Sequence, residues 1–372
     1  MVTANTLGRP RVTDVSTPTP RPRATVATIP AYVPGKPPVP REGLTTYKLS
    51  SNENPYPPLP GVLDAVARAA GQMNRYPDMG CVALYDALAT RLDVAPAQIA
   101  AGTGSVAVLY HLLQAYCDPG DEVVYAWRSF EAYPIAASVG GATSVQVPLT
   151  ADGRHDLDAM ADAISERARV VLLCTPNNPT GPALHHDEVV AFLDRVPADV
   201  LVAIDEAYHE FVRLDDPVDA LGLVRARPNV VLMRTFAKAY GLAGLRIGYL
   251  VGAEEVAGAV RACALPFGVS SIAQAAAVAS LAAEDELLER VDRIVAERQR
   301  VVAALVEQGW RLPEAQGNFV WFPVGDRALE FAAAAEEVGI VVRPFAGDGV
   351  RVSIGEPDAN DRLVEIAGRL VD

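Results

Sequence analysis

Between residues 170 and 234 the chain reads VVLLC at 170–174, VLVAI at 200–204 and VVLMR at 230–234, three apolar runs that begin thirty residues apart. Each run is continuous rather than alternating, the pattern of a strand covered on both faces, and about thirty residues make one βαβ unit. HHDEVVAFLDR at 185–195 has the periodicity of an amphipathic helix, and 215–227 supplies the next crossover. The segment is therefore expected to be doubly wound α/β with a mostly parallel sheet. Ligands of such sheets sit beyond the carboxyl ends of the strands. Each run is followed at once by a polar cluster, TPNNPTG, DEAY and TFAK in turn, so three clusters converge on one crevice.

Working outward, residues 1–30 are dominated by Pro, Thr and Arg, a composition that favours a disordered tail, and 31–55 read as an extended N-terminal arm. A large α/β domain is expected over 56–265. After it, EDELLERVDRIVAERQRVVAALVEQG at 284–309 forms a long amphipathic helix. Short strands at 319–322, 341–342 and 350–354 alternate with helices, giving a smaller α+β domain over 266–372.

Composition bounds the function. Half of the 372 residues are hydrophobic and 21% are charged, enough apolar side chain for a sizeable core. The 46 acidic residues against 32 Lys and Arg give a formal net charge of -14, a field that repels phosphate backbones and anionic membranes. Neither nucleic acid nor membrane is expected as a partner, and an anionic ligand must be met by individual arginines. Cys81, Cys117, Cys174 and Cys263 form no Cys-x-x-Cys pair and read as reduced, mostly buried thiols, with no metal site. The first 30 residues hold no apolar signal region, which points to the cytoplasm.

Lys238 follows the third strand between two alanines. A lysine beside a buried strand end is costly unless it is used, and partial burial depresses its pKa toward that of a Schiff-base nucleophile. Asp205 ends the second strand, where a carboxylate can keep a pyridine nitrogen protonated. Tyr208, three residues on, is expected on the same face one helical turn away. Asn178, in the turn NNPTG, offers an amide to a ligand oxygen. Gly104, Ser105 and Val106 open an apolar helical stretch, so backbone amides and a hydroxyl meet at a helix N-terminus and make an anion site. Thr235 and Arg246 flank Lys238 and turn back to the same anion, while Phe130 is placed to stack on a ring. Gly102, Gly104 and Ala107 also match a relaxed dinucleotide fingerprint. The next strand, 122–126, ends in WRSF instead of the acid that fingerprint needs, which disfavours a dehydrogenase.

The ordered motifs SNENPYPPLP, NRYPD, GTGS, WRSFEAYP, CTPNNPTG, IDEAYHEF, RTFAKAYGLAGLRIGY and VRVSIGE span residues 50–356. Together they resemble the fold-type-I pyridoxal-phosphate aminotransferases of the histidinol-phosphate aminotransferase-like group. WRSFEAYP and the YVPGK arm are most similar to the actinobacterial aromatic amino acid aminotransferases. The resemblance implies that Lys238 carries the cofactor, Asp205 pairs with the pyridine nitrogen, and Asn178 and Tyr208 contact the ring hydroxyl. It implies further that Gly104, Ser105, Val106, Thr235 and Arg246 hold the phosphate, and that Phe130 stacks on the ring. Arg351 would grip the substrate carboxylate and Arg343 the distal end of the substrate. Tyr76 would reach the phosphate from a second subunit and Tyr32 would help close a partner's site, which implies a homodimer with shared active sites. Val106 stands where many relatives carry an acidic or polar residue, leaving only a backbone amide there.

The resulting expectation is ping-pong transfer of an amino group from phenylalanine, tyrosine or tryptophan to a 2-oxo acid such as 2-oxoglutarate. Histidinol phosphate is the alternative donor, permitted by the pairing of Arg343 with Arg351, whereas Tyr32, Tyr56, Trp127 and Phe130 suit an aromatic one. A pyridoxal-dependent decarboxylase shares every cofactor residue. A cofactor-sensing regulator would carry a DNA-reading domain in front, and no helix-turn-helix pattern is found there. His185, His186 and His209 are read as solvent-facing.

Overall fold

A computed structural model describes residues 20–371, Val33 and Arg41 apart. Residues 1–19 of the expected tail lie outside the described residues. The rest of that tail carries a 3-10 turn at Ala24–Thr28, next to which Arg23 donates to the carbonyl of Val139.

Twelve strands are described: β1 (Tyr47–Lys48), β2 (Ile99–Gly102), β3 (Glu122–Trp127), β4 (Thr143–Pro148), β5 (Ala168–Cys174), β6 (Leu201–Asp205), β7 (Val230–Thr235), β8 (Gly248–Val251), β9 (Phe319–Phe322), β10 (Ile340–Val341), β11 (Arg343–Phe345) and β12 (Gly349–Ser353). Seven of them form one sheet in the order β2-β8-β7-β6-β5-β3-β4. The contacts among β4, β3, β5, β6 and β7 are all parallel, and β8 alone runs against its neighbours. The three runs that decide the fold are β5, β6 and β7, side by side at the centre. Val170, Val171, Leu172, Val202, Ala203, Val230 and Val231 have no measurable exposure. Burying each Val or Leu side chain contributes about 1.5–3 kcal/mol, so this block dominates the sheet's stability.

The expected crossovers are present as helices His186–Leu193 and Ala220–Ala226. β2 and β3 follow one another in sequence, yet four strands separate them in the sheet. A dinucleotide unit requires its first two strands to be neighbours, so the glycine-rich loop after β2 does not belong to one.

Beyond the sheet, Glu284–Glu307 is the long helix, with Leu287, Val291, Ile294 and Val295 buried along one stripe. A three-stranded antiparallel sheet in the order β11-β12-β9 follows it. β1 runs parallel to β10, so chain within the expected N-terminal arm is stitched to the C-terminal part of the molecule. The four cysteines are free; Cys81, Cys117 and Cys174 are buried and Cys263 is half-buried. Among the described residues no helix is long and apolar enough to cross a membrane, and no group of His, Cys, Asp or Glu is arranged to hold a metal.

Candidate active site

Asp205 is the last residue of β6, Thr235 the last of β7, and the turn carrying Asn178 leaves the end of β5. Because these strands are parallel neighbours, their carboxyl ends lie side by side. One cavity of about 220 Å³ opens there, lined among others by Tyr32, Ser105, Val106, Phe130, Glu131, Asn178, Asp205, Tyr208, Thr235, Lys238, Arg246, Arg343, Phe345 and Arg351.

Lys238 Nζ donates to the carbonyl of Ser51 at 3.1 Å and lies 5.6 Å from the centre of the Tyr208 ring. Among the described residues no carboxylate is bonded to it. Burial, reinforced by the cations Arg351, Arg246 and Lys48 and opposed by Glu53, brings its pKa down to about 7. Near neutral pH a large share of this amine is unprotonated, the state a nucleophile or a proton acceptor requires.

Asp205 is its electrostatic counterpart. Burial raises the carboxyl to about 6, against a hydrogen bond from Tyr133 that holds it lower. Tyr133 donates to Oδ2 at 2.8 Å, whereas Oδ1 is buried with no partner. An orphaned carboxylate oxygen in a cavity is an acceptor awaiting a donor from a ligand. Tyr208 is held differently from the expectation. No α-helix starts at Asp205: Tyr208 precedes a single 3-10 turn at His209–Phe211, so one turn of α-helix does not relate the two. Its hydroxyl instead accepts from Asn52 Nδ2 at 3.0 Å and its ring meets Phe319 edge-on at 5.1 Å.

The anion cradle is built by close backbone approach. Gly104 (φ +89°) caps the helix Ser105–Tyr116, and a Cβ there would meet Arg246 Nη2 at 2.5 Å. A Cβ on Gly248 would meet the Ser105 amide nitrogen at 2.3 Å, so β8 abuts the helix N-terminus with room only for glycine. Arg246 itself is left-handed (φ 55°), which directs its guanidinium over Gly104.

Arg351 and Arg343 face each other across the register of β11 and β12. Arg351 donates from Nη1 to Asn178 Oδ1 at 2.5 Å and from Nη2 to the Ser50 carbonyl at 2.8 Å, while its buried Nε has no partner.

The candidate residues line this cavity except Gly104, Tyr76, Tyr56 and Trp127; the last two, expected as aromatic walls, lie elsewhere, Tyr56 under Arg290 and Trp127 against Tyr125 and Arg128. Gly104 sits immediately behind it under Arg246. Tyr76 is 82% exposed and stacks on Phe267 at 4.7 Å, away from the site of its own chain. The imidazoles of His185, His186 and His209 also stay outside the cavity. Sequence reasoning assigned no role to Tyr133, Asn52, Ser50, Ser51 or Glu131. Tyr133, Asn52, Glu131 and Ser51 sit inside quoted motifs, which is the signal that could have found the first three; Ser50 and Ser51 act through backbone carbonyls, which carry no side-chain signal.

These residues fit pyridoxal phosphate. Asp205 Oδ1 suits a protonated ring nitrogen, the helix start with Ser105, Thr235 and Arg246 suits a phosphate, and Lys238 suits a carbonyl carbon.

A doubly wound sheet with a half-buried lysine and a buried aspartate at its carboxyl edge defines a fold-type-I pyridoxal-phosphate-dependent transferase. The chain belongs to the aminotransferase class I and II family, whose pattern it matches over residues 45–366, and it is an aminotransferase. It is 60% identical over 350 residues to an aromatic amino acid aminotransferase of Streptomyces avermitilis, covering 94% of this chain and 97% of that one. It is 58% identical to the protein of the same name from Streptomyces coelicolor, covering 94% and 97%. The crystal structure of histidinol-phosphate aminotransferase from Sinorhizobium meliloti in complex with pyridoxal-5'-phosphate superposes with a TM-score of 0.81 at 32% identity, over 88% of this chain and 92% of that one.

Proposed function

We propose that this chain uses pyridoxal phosphate to move the amino group of phenylalanine, tyrosine or tryptophan to a 2-oxo acid such as 2-oxoglutarate, both half-reactions sharing one site. One observation carries the reading. A single cavity unites a half-buried lysine with a pKa near 7, a buried carboxylate with an unpartnered oxygen and a buried arginine with an unpartnered Nε. Relatives at 58–60% identity that bear the aromatic name support the donor class.

When bound, the cofactor supplies a carbonyl carbon and an electron-withdrawing ring. Asp205 would hold the ring nitrogen protonated through Oδ1, while Tyr133 keeps the carboxylate ionised and aimed. Asn178 and Tyr208 would contact the ring hydroxyl, Phe130 the ring face, and Ser105, Val106, Thr235 and Arg246 the phosphate. Arg351 binds the substrate carboxylate with its free Nε and is pre-aimed by Asn178 and Ser50. That anchoring presents the α-hydrogen to Lys238, whose free amine accepts the proton and later returns it. Positioning of this kind and tuned proton transfer each contribute several kcal/mol to rate. Tyr32, Phe130 and Phe345 line the cavity where the donor side chain would lie.

The protein is proposed to act in the cytoplasm as a homodimer in which Tyr76 reaches the partner's phosphate; Tyr32, expected to close a partner's site, lines the cavity of its own chain instead. In support, Tyr76 is 82% exposed and packs against the exposed Phe267. The division into an arm over 31–55, a large domain over 56–265 and a small one over 266–372 belongs to the same proposal. Histidinol phosphate is the second reading, favoured by Arg343 beside Arg351. Mixing the holoenzyme with phenylalanine, tyrosine or histidinol phosphate and following the cofactor absorbance decides between them. Fast bleaching by the aromatic donors is expected; faster bleaching by histidinol phosphate would reverse the choice.

A further inference from the structure

The two ends of the cavity carry different charge. At the carboxylate end Arg351 makes its hydrogen bonds to neutral groups, an amide oxygen and a backbone carbonyl, and among the described residues no carboxylate is bonded to it. At the distal end Arg343 is as deeply buried, at 7% exposure against 8%, but it donates from Nη2 to Glu131 Oε2 at 2.5 Å and from Nη1 to the Pro34 carbonyl at 3.1 Å. Arg128 stands beside this pair, 2.6 Å from Asp348 and 4.0 Å from the other oxygen of Glu131. Two guanidinium groups thus face two carboxylates, and the distal end is neutral. The Phe345 ring packs among these cations, with the Arg343 and Arg351 guanidinium carbons 5.2 and 5.9 Å from its centre.

We propose that Glu131 determines donor specificity: by neutralising Arg343 it makes the distal end of the cavity favour an uncharged aromatic side chain over a carboxylate or phosphate, so that a 2-oxo acid with a distal carboxylate, such as 2-oxoglutarate, enters by taking Arg343 from Glu131. A distal anion must either take Arg343 from Glu131, giving up a charge-assisted bond already made, or lie beside a like charge. An uncharged ring faces neither cost and rests on Phe345. The inference rests on the donor class proposed above and identifies the residue that enforces it. Glu131 lies in the segment WRSFEAYP, four residues beyond the end of β3, and lines the cavity.

The test is single-turnover bleaching of the holoenzyme by one donor at a time, so that no acceptor competes. Phenylalanine, glutamate and histidinol phosphate are the probes, read as the rate divided by the apparent Kd. Glu131→Gln keeps an oxygen that accepts from Arg343 while removing the charge. It is expected to raise the glutamate-to-phenylalanine and histidinol-phosphate-to-phenylalanine ratios by about tenfold or more. Glu131→Asp keeps the charge and is expected to leave both ratios near those of the wild type. A purely structural role for Glu131 would depress all donors together, so unchanged ratios in Glu131→Gln, or equal changes in both variants, overturn the proposal. The glutamate ratio compares variant with wild type whatever donor the wild type prefers. A wild type that favours histidinol phosphate therefore contradicts the donor class separately.

Discussion

Tyr133 donates its phenolic hydrogen to Asp205 Oδ2 at 2.8 Å, from a position 72 residues earlier in the chain, and leaves Oδ1 free for a ligand. The pair explains how a buried carboxyl stays available as an anion. Burial pushes Asp205 up to about 6 and the phenol pulls it back.

Without cofactor, that carboxyl binds its proton more tightly in the fold than in the unfolded chain, where it titrates near about 3.9. Its contribution to stability is therefore complete below about pH 4 and declines as pH rises through about 6. Asp205→Asn removes the titration. Apoprotein carrying Asp205→Asn should match the wild type in chemical denaturation near pH 4 and exceed it by roughly 2–3 kcal/mol at pH 7. Activity should nevertheless fall by about a hundredfold or more, because the amide cannot stabilise a protonated ring nitrogen.

The lysine has the opposite sign. Its folded pKa of about 7 lies below the ordinary value, so the neutral amine is present well below pH 10. Uptake of pyridoxal phosphate by apoprotein, followed by absorbance, should accelerate with pH around a midpoint near 7. Lys238→Ala is expected to fold and to lose at least about a thousandfold in turnover, and Lys238→Arg to keep the charge without restoring activity.

Gly248→Ala places a methyl 2.3 Å from the Ser105 amide nitrogen. The helix start must shift, so the affinity for pyridoxal phosphate should drop by more than about tenfold while the thermal transition of the apoprotein moves much less. Equilibrium dialysis checks it.

Arg351→Lys keeps a cation but loses the fork that binds Asn178, Ser50 and a carboxylate together. Steady-state kinetics should show KM rising about tenfold or more for every amino acid donor alike, since the α-carboxylate is common to all of them.

Much of this was legible before the fold was known. Continuous apolar runs at thirty-residue spacing specify a parallel sheet, and Asp205, Thr235 and Lys238 follow because a strand end in such a sheet faces the crevice. Ser105 and Gly104 were visible because a glycine-rich turn into an apolar helix has one physical use as an anion site. What escaped were partners that tertiary folding delivers from afar. Tyr133 reads as an ordinary core aromatic, and Asn52 reaches Tyr208 across 156 residues. The carbonyls of Ser50 and Ser51 have no side-chain signature. The helical relation expected between Asp205 and Tyr208 failed because the chain after β6 turns through a 3-10 segment under the packing of Phe319. The balance of charge at Arg343 depends on where Glu131 and Arg128 come to rest, which no local pattern encodes.

The central claim is that Lys238 is the amine that carries the cofactor. Borohydride reduction of the purified holoenzyme, proteolysis and mass spectrometry of the peptides test it directly. A pyridoxyl mass on the Lys238 peptide, and on none carrying Lys36 or Lys48, is the result expected; an adduct on another lysine, or none at all, contradicts the account.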